Sequence, residues 1–576
     1  MWQRCMLVMY LMTIGHSALA ADFYIDPASG NDNNSGSKSK PWKSLQAVFD
    51  GKKIQTQGWP ALPYKAGMTL VDKHPGGVVK PGDTLWLLSG YYGAITISGH
   101  YNKGVITIAA VPGHTPQLKT LLVRASSHWK VKGIHVSPSF APSYERKTAV
   151  VIQSHGYNGP VRDITLEDAK IFSVKDIKPW TASDWNNKAV NGVQASGSRI
   201  TIKNNVVKNI NFGISVTAKD SMIEGNLVEN FSGDGLRGLG DNCVFQYNTV
   251  MNCYDVNDNH DDGFQSWSVG ADGKVGTGVV KNVTLRGNTI INYTDPNQPL
   301  RGPLQGIGMF DGTFDGWVIE NNVIIVDHWH GISLYGVKNS RVVNNTLMDP
   351  NSTRPGPPWI KMTKHKNGTA ASNCLVRNNL TPSLSNDKAG VKEDNNIVYK
   401  DPTSLFVSPG TYDLHLLPNS AAIDKGSSDK APALDRDAYP RPFGNAIDIG
   451  AYEWHTKTNP PTEPHIDAGP ADDPPHEVKP QEPTSPEQLQ TESDQQDTAP
   501  VELIPTEKSI HPKDASVPEH PHTVEAPHTK EETKQDNEPL PTPKGQGCNC
   551  NVQSSSSDSL WLFLLVLMVF VVRPRQ

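Results

Sequence analysis

Seven stretches of the chain read Thr201-Ile-Lys-Asn-Asn205-Val, Met222-Ile-Glu-Gly-Asn226-Leu, Val244-Phe-Gln-Tyr-Asn248-Thr, Thr284-Leu-Arg-Gly-Asn288-Thr, Val318-Ile-Glu-Asn-Asn322-Val, Arg341-Val-Val-Asn-Asn345-Thr and Leu375-Val-Arg-Asn-Asn379-Leu. Each is an apolar alternation that runs into asparagine, and its period of two is that of a strand rather than a helix. Where nothing is inserted the asparagines recur 21 to 23 residues apart (205 to 226, 226 to 248, 322 to 345). A fixed period of that size means stacked coils, each burying its apolar side only against its neighbours. The asparagine ending each strand is expected to take the tight-turn conformation and to bond, through its amide, the asparagine one coil above. The fold expected is all-β, a single-stranded right-handed parallel β-helix (a solenoid) with an N-terminal cap. Separate sandwich strands are the competing reading.

Outside the repeats, composition divides the 576 residues. Residues 1–20 carry Arg4, an apolar run and Ala18-Leu19-Ala20, the pattern of a secretory signal peptide. Residues 21–455 are the expected β-helix domain. Residues 456–546 are rich in Pro, Glu and Thr and read as a disordered linker, because they carry too little apolar surface to offset ordering. Residues 547–576 hold Cys548, Cys550, an apolar run from Leu560 to Val572 and two terminal arginines. That order resembles the C-terminal sorting tails of Gram-negative surface proteins, especially the myxobacterial type, and the resemblance implies anchoring at the cell surface. Thirteen apolar residues are short of the roughly 20 that span a bilayer.

Charge follows the same division. The linker has 19 acidic and 7 basic side chains, whereas residues 21–455 have 39 acidic and 43 basic. A mildly positive body is compatible with a polyanionic partner. Nucleic acid is not indicated, since no basic stripe carries interleaved aromatics. Cys243, Cys253 and Cys374 are the cysteines of the body, an odd number, so no disulfide framework is expected and a monomer with buried thiols is.

The domain opens with Phe23-Tyr-Ile-Asp-Pro27, Gly30-Asn-Asp-Asn-Asn-Ser-Gly36 and Pro41-Trp-Lys-Ser-Leu45-Gln, and closes with Asp435-Arg-Asp-Ala-Tyr-Pro440 and Asp448-Ile-Gly450-Ala-Tyr-Glu453. The opening resembles that of many secreted β-helix proteins, and the close resembles the terminal cap of bacterial ones. A cap over the first coil is physically required, because a bare sheet edge invites pairing.

A second strand in each coil is placed in register by a glycine before an apolar residue: Gly192, Gly213, Gly235, Gly263, Gly306 and Gly331, in steps of 21, 22, 28, 43 and 25 residues. The longer steps imply inserted loops walling a groove on this face. Stacking at about 4.8 Å per coil then aligns three columns. Before the glycine stand Asn191, Phe212, Asp234, Asp262, Gln305 and His330; two after it Gln194, Ser215, Arg237, Gln265, Gly308 and Ser333. Two further on come Ser196, Thr217, Leu239, Trp267, Phe310 and Tyr335. Polar groups beside a row of rings suit a sugar polymer, the rings stacking on apolar sugar faces.

The densest cluster, Asp255-Val-Asn-Asp258-Asn-His260-Asp261-Asp262-Gly-Phe-Gln265-Ser-Trp267, admits three chemistries. Asp234, Asp261 and Asp262 could bind a cation, calcium by the hardness of oxygen ligands, since stacked carboxylates otherwise repel. Asp234 and Asp262 could be the acid and base of a glycoside hydrolase. Asp261-Asp262 with His330-Gly331-Ile-Ser resembles polygalacturonase-type motifs, but 68 residues separate the two parts, and coil spacing is tighter than the ~6.5–9.5 Å of an inverting pair. The cluster could also be only a polar turn network.

The segments Asp234-Gly-Leu-Arg237-Gly-Leu-Gly240-Asp and His260-Asp-Asp-Gly-Phe-Gln-Ser-Trp267 are similar to bacterial β-helix polysaccharide lyases, the alginate and pectate lyases. The resemblance implies removal of the proton alpha to a uronate carboxylate by a Lys or Arg base, after that carboxylate is neutralised. The chemistry agrees, because the proton is acidic enough only if cation, amide and arginine sit together. Arg237 is the expected base, with Lys188 as alternative, and His330 or Tyr335 as proton donor. Asn191, Gln194, His260, Gln265, Trp267, Gln305 and Tyr335 are the expected substrate contacts. The function expected is a surface-anchored lyase of an acidic polysaccharide; a hydrolase on the same groove and a non-catalytic glycan-binding protein are the alternatives.

Overall fold

The computed structural model describes residues 20–456. The signal-peptide, linker and sorting-tail expectations fall outside them. The body is a right-handed parallel β-helix in which each coil gives one strand to a 15-stranded sheet and short strands to a 21-stranded sheet. Ser198–Lys203, Met222–Glu224, Val244–Gln246, Thr284–Arg286, Val318–Glu320, Arg341–Val343 and Cys374–Arg377 stack in parallel along the first sheet. Their apolar positions Ile202, Ile223, Phe245, Leu285, Ile319, Val342 and Val376 are fully buried in one continuous core. No coil could bury these side chains alone, so the stack is the folding unit.

The turns after these strands carry the asparagine ladder. Asn205, Asn226, Asn248, Asn288, Asn322, Asn345 and Asn379 are buried, and each donates its amide Nδ2 to Oδ1 of the next at 2.9–3.0 Å, ending on Asn396. The same Oδ1 accepts the backbone N–H of the preceding ladder residue, as Asn248 does from Asn226 at 3.0 Å. One expectation needs correcting. The left-handed turn conformation belongs to the residue before each ladder asparagine, namely Asn204, Gly225, Tyr247, Gly287, Asn321, Asn344 and Asn378. The ladder residue itself is kept extended enough for its side chain to point inward along the stack.

The outer face of the first sheet has its own order. One column reads Lys132, Glu167, Lys203, Glu224, Gln246, Arg286 and Glu320, so neighbouring rungs never carry the same charge. Glu167 is gripped by Lys130 at 2.6 Å and Lys132 at 3.2 Å.

At the N-terminal end the helix Leu45–Asp50, capped by the Ser44 side chain, buries Leu45, Val48 and Phe49 against the first coil. The C-terminal segment departs from the expected terminal cap. It runs back along the flank: Asn321 donates to the Leu434 carbonyl at 2.7 Å, Asn344 to that of Asp448 at 3.1 Å and Asn378 to that of Ser427 at 2.8 Å. An ion pair of Arg441 and Glu453, both wholly buried, holds its own fold together. Cys243, Cys253 and Cys374 are buried free thiols.

Candidate functional site

The glycine column sets the site. Backbone pairing puts Val193, Ile214, Leu236, Phe264, Ile307, Ile332 and Ile360 on successive rungs, all buried. The residues before them approach closely: a Cβ on Gly192 would stand 2.6 Å from the Gly213 carbonyl oxygen, and one on Gly306 would press into that of Gly331. Glycine is required there by space, not by dihedral. The next position faces outward and reads Gln194, Ser215, Arg237, Gln265, Gly308, Ser333 and Lys361.

The sequence expected this column as far as Ser333. Lys361 escaped it because its coil has Trp359 where the others have glycine, which removed the register marker. The aromatic column is also corrected: pairing shifts between Ser266 and Trp267, so Trp267 faces Asp311 rather than Phe310.

Inserted loops wall this face. Residues 254–261 lean on the helix Ala182–Lys188, where Trp185 stacks on Tyr254 at 4.6 Å and Asn186 donates to the Val256 carbonyl at 2.9 Å. Asp255 in turn pairs through its N–H with the Leu300 carbonyl at 2.8 Å. Lys188 sits on that helix, exposed and ion-paired to Asp184 at 2.7 Å. No hydrogen bond or ion pair among the described residues joins it to the column. His260 is exposed on the loop rim, and Gln194 is exposed one coil below Ser215. Asn191 is half-buried and accepts the Phe212 N–H at 3.4 Å.

Asp234 and Asp262 lie sealed under the outward residues. Arg237 grips Asp234 through Nε, and its guanidinium carbon stands 3.5 Å from the Phe212 ring centroid and 5.3 Å from that of Trp267. The Asp262 N–H donates to Asp234 Oδ1 at 3.2 Å, while Gln265 Nε2 donates to Asp262 Oδ2 at 3.1 Å. Gly308, one coil on, leaves the space that the Asp262 carboxyl fills. Burial raises Asp234, which Arg237 opposes. Asp262 makes no ion pair among the described residues, and burial, with repulsion from Asp234 and Asp261, holds it far above the usual carboxylate range against the weaker pull of Arg237 and the Gln265 amide. Burial likewise pushes Asp261 up to about 8. The trough floor is therefore one ion pair and two neutral carboxyls near pH 7.

Three buried oxygens there, Asp262 Oδ1, Gln265 Oε1 and Gln305 Oε1, lack partners among the described residues. The three aspartates do not form a shared cage: Asp234 is held by Arg237, and Asp261 accepts from Asn259 at 3.2 Å. Among the described residues no group of three or more His, Cys, Asp or Glu side chains could hold a metal ion.

A second cluster continues the trough. His330 shares a 2.8 Å hydrogen bond with Ser333, whose hydroxyl also accepts from Trp359 Nε1 at 2.9 Å. Phe310 packs edge-on against both His330, at 4.7 Å, and Tyr335, at 5.3 Å. Lys361 lies 4.8 Å from the Trp359 ring centroid and makes no ion pair among the described residues. Burial first, then the neighbouring His328 and Lys361, press His330 down to about 3, so its imidazole is neutral. Trp329, exposed, stacks over Trp359 at 6.2 Å. Trp329, Trp359 and Lys361 were not anticipated.

Residues 191–381 match the family described as the right handed beta helix region. No curated protein matches the chain. Among solved structures, a pectate lyase, Pel9A, is similar at 16% identity and a TM-score of 0.40, over 76% of this chain and 97% of its own. A rhamnogalacturonan lyase follows at 15% and 0.36, over 71% and 97%. A lacto-N-biosidase from Eubacterium ramulus stands at 13% and 0.36, over 65% and 67%. Overlap this loose carries no argument about a reaction.

Proposed function

We propose that the trough cleaves an acidic, uronate-containing polysaccharide by β-elimination. One observation carries the reading: along the column the charges that reach the trough are cationic, Arg237 and Lys361, while the acidic side chains beneath are paired or neutral. Those two side chains, four rungs apart, or about 19 Å at coil spacing, suit carboxylates several sugar units apart on an extended chain. Trp267, Trp359 and Tyr335 suit its ring faces.

In the proposed reaction a base takes the proton alpha to the uronate carboxylate, its electron pair becomes a ring double bond, and the bond to the leaving oxygen breaks as that oxygen takes a proton. Arg237 is bound through Nε to Asp234, so it serves as charge neutraliser rather than the base first expected. His330, pressed down to about 3 by burial, is too weak a base for the proton abstraction and serves as a polar contact instead. Tyr335, raised by burial, keeps its phenolic proton to donate.

A hydrolase centred on Asp234 and Asp262 is disfavoured because neither side chain reaches the trough surface. Calcium enters this proposal only by displacing Arg237 from Asp234, so turnover that survives a chelator is expected. Export by the N-terminal segment and surface anchoring by the C-terminal tail are proposed with it. The test is to incubate the full chain with alginate, pectate and rhamnogalacturonan. Ultraviolet-absorbing unsaturated ends, lost in Arg237→Gln, support the reading. Reducing ends without that absorbance indicate the hydrolase, and binding without product indicates a glycan-binding protein; either sinks it.

A further inference from the structure

A separate cavity of about 310 Å³ lies on the flank of the first sheet, away from the trough strands. That volume is at the small end of the ~300–1,000 Å³ typical of small-molecule sites. Its floor is the outer face of three rungs: Arg286, Glu320 and Arg341. Pro432, Ala433 and Leu434 of the returning C-terminal segment form its roof, and Tyr247 one wall. Two features keep it open. The Tyr247 ring lies over Gly287, where a Cβ would come within 2.7 Å of Tyr247 Cδ1. The roof is tied down by the Asn321 amide on the Leu434 carbonyl at 2.7 Å.

The charge in the cavity is unbalanced. Glu320, almost fully buried, is the one carboxylate lining it, and it accepts Arg286 Nε at 2.7 Å and Arg341 Nη2 at 3.4 Å. Two guanidiniums on one carboxylate leave a net positive charge with terminal N–H groups unspent. Arg341 Nε, buried, has no acceptor among the described residues. A buried donor without a partner is costly, and an incoming anion would satisfy it.

We propose that this cavity binds a single sugar acid, its carboxylate on Arg286 and Arg341 and its ring against Tyr247 and Leu434. The guanidinium pair selects a carboxylate, and the apolar wall and roof select a ring over a bare ion. The choice of a sugar acid over other ring carboxylates rests on the reading of the trough. Glucuronate affinity and polymer cleavage are separate measurements, so each can fail without the other.

The full chain is titrated by calorimetry with D-glucuronate, D-glucose and inorganic phosphate. Expected is glucuronate binding that weakens at least tenfold in Arg341→Met and in Leu434→Trp, with polymer cleavage unchanged in both and binding retained in Arg237→Gln. Should Arg341→Met melt below the assay temperature, Leu434→Trp, which touches no ion pair, decides alone. Glucose or phosphate binding as tightly as glucuronate overturns the proposal. So does glucuronate affinity that is unmoved by Leu434→Trp, or that is lost only in Arg237→Gln.

Discussion

Asp234 and Asp262 are chemically alike, equally buried and one coil apart, yet the structure assigns them opposite states, and that difference can be measured. Asp234 is bound to Arg237, whereas Asp262 meets only a backbone and an amide and is held neutral by burial and by its acidic neighbours. Asp262→Asn replaces a neutral carboxyl by an amide of the same shape, and should cost less than about 1 kcal/mol at pH 7, within the range of surface changes and small repackings. Asp234→Asn strips a mostly buried guanidinium of its counter-ion. Breaking such a pair costs roughly 3–5 kcal/mol, and the residual exposure of Arg237 places the loss near the lower end. Urea unfolding of both variants at pH 7, read by tryptophan fluorescence, gives the two differences from midpoints at constant slope. Equal losses would mean that Asp262 is ionised, and the electrostatic description of the trough would then fail.

The ladder gives a second expectation: Asn248→Ala orphans the Asn226 N–H within the stack and should cost about 2–4 kcal/mol, visible as a lowered melting midpoint, while a loss under 1 kcal/mol would deny the ladder a stabilising role. Gly306→Ala forces two coils apart and should cost about 1–3 kcal/mol, with a larger fall in cleavage than Lys208→Ala on the exterior, compared by melting and turnover. His415, between Asp413 at 2.6 Å and Asp437 at 2.7 Å, has opposing causes: burial lowers it, but the two carboxylates prevail and raise it to about 9. Its contribution is complete below pH 6.5 and is lost as pH rises through 9, so stability should fall across that window and the fall should vanish in His415→Gln; a flat profile refutes the pairing. Lys361→Met should lower cleavage of a uronate polymer at least tenfold without moving the melting point, since its ammonium makes no ion pair among the described residues.

The stack was legible in the sequence because its signals are local and periodic. An asparagine every coil and a glycine before an apolar residue fix both the pitch and the face, and the pairing of Gln194, Ser215, Arg237, Gln265, Gly308 and Ser333 follows. What escaped depends on departures from the period. The bulge after Ser266 moves Trp267 by one position, and Trp359 in the glycine position hid Lys361. The fate of the C-terminal segment was also illegible, since its partners Asn321 and Asn344 stand over 100 residues away. A similar distance in sequence hid the flank cavity, whose floor residues Arg286, Glu320 and Arg341 lie far from the Pro432, Ala433 and Leu434 of its roof.

The column running Lys132, Glu167, Lys203, Glu224, Gln246, Arg286, Glu320 has a consequence for how such a molecule can lengthen. Duplicating one coil in its alternating part would set lysine against lysine or glutamate against glutamate, which is unfavourable for directly facing residues. Duplicating two leaves every contact attractive. Growth of this solenoid by even increments is thereby favoured, a parity rule written in its electrostatics.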